Sequence, residues 1–340
     1  MDIRPRIISV EPEFAIPGGE IAIKCEDFRI GRRGEDGVFV GGVKCWIVAA
    51  SSDHILATVP NDISGTTDVH LEGLGAISNN VPISIGRKIV GGMHIVANPA
   101  IDPADDAIIL TRSGGRGQHL PNTLYRQEPD GYLDEMPDPI LNPTGIAFDR
   151  HGQMFVTNRA QGEVYSVGRD GTATTFASGL GIATGIAFDS DGSMYIGDRA
   201  GTIFRVHDDG QTEMYTVMEP SVAAFHMAFG PDGRLYLTSP GFASYDAVHA
   251  IDKEGFDVRF FRGLGRPQGL AFDKAGRLYV AACYQGRHGI VRISRDGSSA
   301  KHLVAGNSIV GLCFNRAGDM IVATGDSVYS IPCGIEGTLL

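Results

Sequence analysis

Long apolar runs, helix-period patterning and an excess of positive charge are all missing from this 340-residue chain. No stretch approaches the roughly 18 consecutive apolar residues that a membrane span requires, so no spanning helix is expected. The opening Met1-Asp2-Ile3-Arg4-Pro5 lacks the apolar core of a secretory leader. As it stands, the sequence reads as cytoplasmic, and as extracytoplasmic if a leader has been removed. Lys and Arg number 29 against 40 Asp and Glu, a formal net charge of -11. Nucleic acid and anionic membrane both demand a basic field and are not expected as partners. The five cysteines (Cys25, Cys45, Cys283, Cys313, Cys333) show no metal-ligand spacing. Their odd number favours buried free thiols in a reducing compartment, with a Cys25–Cys45 bridge as the alternative. A Gly-x-Ser-x-Gly elbow, a His-Glu-x-x-His pair and a phosphate loop are absent.

What the chain does have is glycine, 46 residues of it, and a repeat. Gly185-Ile186-Ala187-Phe188-Asp189 is followed by Asp191-Gly192 and Met194-Tyr195-Ile196. The pattern recurs from Gly145, Met227, Gly269 and Gly311. Each copy reads as two apolar strands joined by a tight turn. Asp or Asn opens the turn by bonding its own backbone, and Gly supplies positive φ. A third strand follows (Glu163–Val167, Thr202–Val206, Gly289–Ile293), then a weaker fourth. Four short strands per unit of roughly 40 residues are the mark of a propeller blade. Aligning Asp102 with Asp149 exposes a sixth copy, with Ala107–Leu110 and Asn122–Tyr125 as strands. The chain stops soon after a third strand, Ser327–Ile331. The expectation is that Arg87-Lys88-Ile89-Val90 supplies the missing fourth and closes the ring.

Residues 5–86 differ in texture. Short alternating strands are expected around Pro5–Pro12, Glu20–Cys25, Val38–Val48, His54–Pro60 and Thr67–Leu71, the spacing of a β-sandwich. The fold class expected is therefore all-β: a six-bladed β-propeller (87–340) behind an N-terminal immunoglobulin-like β-sandwich (1–86). Arg29, Arg32 and Arg33 form a small basic loop among Glu26, Asp27, Glu35 and Asp36, and read as a solvated loop.

The order Ile8-Ser9-Val10-Glu11-Pro12, Ile16-Pro17-Gly18-Gly19, Val40-Gly41-Gly42-Val43, Ala57-Thr58-Val59-Pro60 resembles the immunoglobulin-like IPT/TIG family. The repeats across 96–331 resemble the NHL and senescence-marker-protein/gluconolactonase propellers. Those families include calcium- or zinc-dependent lactonases, other hydrolases and lyases, and pure binding modules, so the resemblance leaves function open.

In a four-stranded blade, the loop entering the inner strand and the loop joining strands two and three share one face. The entering positions are Ala97, Thr144, Thr184, Phe225, Gln268 and Val310. The resemblance to gluconolactonases implies a carboxylate and amides there to hold a metal, yet none is Asp, Glu or Asn, and a hard cation needs such ligands. The ends of the second strands align Arg112, Arg159 and Arg199 in three consecutive copies, beside Thr111, Asn158 and Asp198. Guanidiniums gathered there would bind a carboxylate, phosphate or acidic sugar; the other reading is that each caps its own blade. Further candidates on that face are Arg116, Gln118 and His119, then Tyr245 and Asp246, then Tyr284, Gln285, Arg287 and His288 on longer loops. His226 stands where other copies have Gly and is either a general base or a core histidine. Gly114-Gly115-Arg116-Gly117 reads as a mobile loop rather than an anion cradle.

These observations favour a binding protein for a small anionic ligand or an acidic partner segment at the channel mouth, without a cofactor. Two alternatives stand beside it. One is a lactone or ester hydrolase, which would need a divalent metal such as calcium or zinc; the other is a structural interaction module.

Overall fold

The computed structural model describes residues 4–31, 35–115, 118–242 and 245–338. Among them there is no helix; the molecule is all-β, in several sheets consistent with a propeller. Arg32, Arg33, Arg116 and Gly117, singled out above, lie outside the described residues.

Each sequence repeat becomes one antiparallel succession of strands. The plainest run is Pro143–Phe148, Met154–Asn158, Glu163–Val167 and Ala173–Ala177; the 183–217 sheet repeats it. The Asx residues make the turns. Asp149 Oδ1 accepts the N–H of His151 and of Gln153, both at 2.8 Å, and Asp189 Oδ1 does the same for Asp191 and Ser193 at 2.9 and 2.8 Å. The last sheet is completed by Arg87–Val90, which pairs antiparallel with Val328–Pro332. An N-terminal strand thus protects the edge that the chain's end would leave open.

The first strands of these units meet side by side. Pro143–Phe148 contacts Ala183–Phe188, which contacts His226–Phe229, then Leu270–Phe272, then Ile309–Phe314; Ala100–Ile101 touches both Ile309–Phe314 and Pro143–Phe148. The circuit is closed and tight. A Cβ on Gly311 would fall 2.5 Å from the Asn98 Cα and 2.7 Å from the Ala97 carbonyl oxygen. The repeat's glycine is required by this approach of one backbone to the next. The space enclosed is about 100 Å³, lined by small and apolar groups such as Ala147, Ala187, Ala228, Ala271 and Cys313. On the side of the Asx turns the C-terminal segment crosses it, with Thr338 N–H bonded to Phe272 O at 2.9 Å and Ile335 N–H to Gly318 O at 3.0 Å.

The N-terminal residues build two further sheets over one core that includes Ile21, Ile23, Val38, Ile55, Val69 and Leu71. One sheet holds Arg6–Glu11, Glu20–Glu26, His54–Thr58 and Trp46–Ala50. The other does not end at residue 86. Phe14–Ala15 pairs in parallel with Ser84–Ile85 on one side and with Val304–Ala305 on the other. Lys301 and Glu13 at 3.2 Å, and Asn307 Nδ2 donating to Gly18 O at 2.8 Å, flank this junction. The N-terminal segment and the 270–305 sheet therefore share a continuous hydrogen-bonded ladder. All five cysteines are free thiols. Burial pushes Cys25 up to about 11 and Cys45 up to about 12, as expected of inert buried thiols.

Gly311→Ala is expected to destabilise the protein by about 1–3 kcal/mol, because backbone rather than a flexible side chain must give way. Gly325→Ala, with open space around its Cβ, is expected to change stability by less than about 0.5 kcal/mol. Denaturant midpoints of the two variants check the contrast.

Candidate ligand-binding face

Register places the candidate residues. Pro143 pairs with Asn158, Ala183 with Asp198, and His226 with Thr238, so inner strands begin where second strands end. Thr144, Thr184, Asn158, Asp198 and the arginines accordingly lie at one end of their sheets, opposite the Asx turns.

Several of these polar groups are committed to the backbone. Thr184 Oγ1 donates to Gly197 O at 3.1 Å and accepts the Phe225 N–H at 3.0 Å, latching one sheet to the next. Thr144 is buried, its hydroxyl directed at Asn142 O. Asn158 Oδ1 accepts from Ala160 and Gln161. Asp198 Oδ1 accepts from Ile182 at 2.8 Å and Ala200 at 3.0 Å. These four shape the face and offer a ligand little.

The three arginines part company. Arg112 Nη1 donates to Tyr125 Oη at 3.2 Å, so it leans back on its own sheet. Arg159 is half-buried and Arg199 exposed, and among the described residues neither has a carboxylate in ion-pair range. Burial, and then the charge of Arg199, lower the pKa of Arg159. Two like charges thus repel beside Asn158 Oδ1 and Asp198 Oδ1, each of which accepts two backbone N–H groups.

Gln268 is half-buried at the entering loop; its backbone O accepts the Thr238 hydroxyl at 2.6 Å. Tyr284 and His288 do not stand on a long loop. Leu278–Tyr284 and Arg287–Ile293 pair all the way to Tyr284↔Arg287, leaving only Gln285 and Gly286 as the turn. Both have positive φ, 50° and 81°, the conformation that a two-residue hairpin of this kind needs. This hairpin meets the neighbouring sheet through Leu264↔Tyr284 and Gly265↔Cys283. Beside that seam opens a cavity of about 1000 Å³ lined by Tyr284, His288, Gln285 and Tyr245. Asp246 is buried next to it; its Oδ1 accepts the Gly241 N–H at 3.2 Å and its Oδ2 has no partner. Sequence reasoning missed Phe242, Arg262 and Arg266, which also line the cavity. The signal was the run Arg259-Phe260-Phe261-Arg262-Gly263-Leu264-Gly265-Arg266, too cationic for an ordinary outer strand.

His226 does not line the axial space. It is fully enclosed, and burial alone lowers its pKa to about 4, so it is a neutral core imidazole at pH 7. This enclosure accords with the core-histidine reading. A divalent metal does not fit the axis either. The entering positions carry no carboxylate, Asp198 Oδ1 at that end is bonded to backbone, and among the described residues no three His, Cys, Asp or Glu side chains converge. Hard cations require such oxygen donors.

Solved structures similar to this chain include a putative gluconolactonase, 17% identical with a TM-score of 0.61, covering 74% of this chain and 93% of that one. An auxiliary nutrient binding protein from Bacteroides ovatus is 12% identical with a TM-score of 0.57, covering 97% of this chain and 98% of that one. Streptogramin B lyase is 17% identical with a TM-score of 0.51, covering 78% and 89%. No family model matches the chain, and no curated protein matches it. At these identities the likeness is one of fold.

The His226 shift has a pH consequence. Its folded-state value lies below the ordinary 6.5, so the unfolded chain binds the proton more readily. Its contribution is whole above pH 6.5 and is lost as pH falls toward 4. At pH 5 the loss is about 2 kcal/mol. Between pH 7.5 and 5, the wild type is expected to lose that much more stability than His226→Gln, measured by urea unfolding at both pH values.

Proposed function

We propose that the chain is a six-bladed propeller (87–340) mounted on an immunoglobulin-like module of the IPT/TIG kind (1–86), and that it binds a small anionic ligand or an acidic partner segment. The anion sits on Arg159 and Arg199, at the end of the propeller opposite the Asx turns. The closed circuit of inner strands and the Arg87–Val90 closure support the blade count. The observation that carries the binding reading is the guanidinium pair without a counter-charge, in a chain of net charge -11. A half-buried guanidinium beside a second like charge is unfavourable alone, and a carboxylate or phosphate spanning both would relieve the repulsion while accepting paired N–H donors. Arg112, tied to Tyr125, borders this site rather than forming it. The nutrient-binding neighbour accords with this reading; hydrolysis through a metal lacks the donors it would need.

Titration calorimetry with citrate, gluconate and glucuronate tests it. At least one is expected to bind the wild type, with affinity falling roughly 10- to 100-fold in Arg159→Ala/Arg199→Ala, as for the loss of charge-assisted hydrogen bonds. Full affinity in the folded double variant, or no binding of any of the three to the wild type, overturns the assignment.

A further inference from the structure

The cavity beside the seam of the 226–265 and 270–305 sheets is a second feature of the same face, and its chemistry is different. Its walls are aromatic: Phe242, Tyr245, Phe261 and Tyr284. Two of these rings are not packed as core residues, since Phe242 is 101% and Tyr245 72% exposed. Phe261 and Tyr284 stand behind them, with ring centroids 6.1 Å apart and planes inclined by 59°. Its charge is one-sided. Among the described residues Arg262 and Arg266 line it and no Asp or Glu does; Glu219, Asp246 and Asp257 line the adjoining cavity, which shares Phe242, Tyr245 and Arg262 with this one. Neither guanidinium has an ion-pair or hydrogen-bond partner among the described residues. The volume, about 1000 Å³, lies at the upper end of the range of small-molecule sites.

We infer that this cavity is a binding site for a flat, aromatic carboxylate. Exposed rings offer faces on which a planar apolar body stacks. The two arginines take the carboxylate, and guanidiniums also tolerate stacking against the ligand's ring. A cationic ligand would meet two like charges and no counter-charge on the walls. A saccharide would find few neutral hydrogen-bonding groups beyond Gln285 and His288 to match its hydroxyls. The site is independent of the Arg159–Arg199 pair, so either assignment can fail without the other. Its frame is rigid: the Leu264↔Tyr284 and Gly265↔Cys283 pairing fixes one wall against the other.

The probes are 2-naphthoate, its neutral amide 2-naphthamide, and glucuronate, each titrated by calorimetry into the full chain. The expected order is naphthoate tightest, by roughly 10-fold or more over the amide, the discrimination that one charge-assisted pair supplies. Arg262→Ala/Arg266→Ala should abolish that preference while leaving naphthamide binding. Tyr245→Ala, and separately Phe242→Ala, should weaken both naphthalene probes. Arg159→Ala/Arg199→Ala should leave naphthoate binding as it was. Phe242, Tyr245, Arg199, Arg262 and Arg266 are exposed and Arg159 is half-buried; an unchanged far-ultraviolet circular dichroism spectrum verifies the fold of each variant. No naphthoate binding, equal affinity for acid and amide, or glucuronate binding tighter than naphthoate overturns the inference. So does naphthoate affinity that follows Arg159 and Arg199 instead of Arg262 and Arg266.

Discussion

At the axis of the molecule, backbone lies against backbone. A Cβ on Gly145 would come 2.7 Å from Thr184 O, and one on Gly185 3.0 Å from Phe225 O. The approach leaves an axial space of about 100 Å³ whose walls are largely alanine methyls and aliphatic side chains. Such a space holds a few waters at most and offers few ligand atoms. Any chemistry is pushed outward to the ends. At one end the C-terminal segment crosses the opening, bonded to Phe272 and Gly318. The other end, where inner strands begin and second strands finish, is the one on which the proposed binding rests. The glycine that marks the repeat in the sequence thus also decides where a ligand can sit.

On that end, the demands of the backbone determine which charges are left over. Asp198 and Asn158 look like partners for the neighbouring arginines, but the Oδ1 of each caps a turn. An Asx side chain satisfying buried N–H groups cannot be withdrawn without orphaning them, which costs more than a surface ion pair returns. Among the described residues Arg159 and Arg199 have no ion-pair partner, and Asp198 Oδ1 is held by two backbone N–H groups. The 226–265 sheet reaches the same condition by another route. Asp246 is buried with its Oδ1 on the Gly241 N–H, while Arg262 and Arg266 line the cavity at the seam. Local positive charge on an acidic molecule follows from where the acids are held, more than from where the bases are placed.

This also explains what could be read from the chain and what could not. Periodic features were legible: the strands, the Asp-Gly turns, the closing strand Arg87–Val90, and the register of Arg112, Arg159 and Arg199. All follow from short-range rules repeated at a fixed spacing. The fate of each arginine was not legible. Arg112 meets Tyr125 and Arg159 meets Arg199 through inter-sheet geometry that alignment does not encode. The aromatic cavity was half legible. Tyr245, Tyr284 and His288 stood out as departures from the repeat, but Phe242, Arg262 and Arg266 came into view only once pairing Leu264 to Tyr284 joined two sheets. The Gln285-Gly286 turn was read as part of a longer loop because its strands run past the length of the other copies.

The parallel strand Phe14–Ala15 was the least foreseeable element and bears most on how the halves act together. It continues the ladder from Ser84–Ile85 to Val304–Ala305, and Ala300–Ala305 pairs with the strand that carries His288 and the cavity's hairpin. The Gly306 N–H closes the same edge on His288 O at 3.2 Å. From the N-terminal core to the cavity wall, the connection is hydrogen-bonded sheet without a loop to act as hinge. Coupling between distant sites needs an element with two arrangements of similar energy, and a ladder pinned on both edges is a poor one. The N-terminal module is thus better suited to fix the orientation of the binding face than to gate it. Whatever surface that module engages, it would present the arginine pair and the aromatic cavity at a set angle.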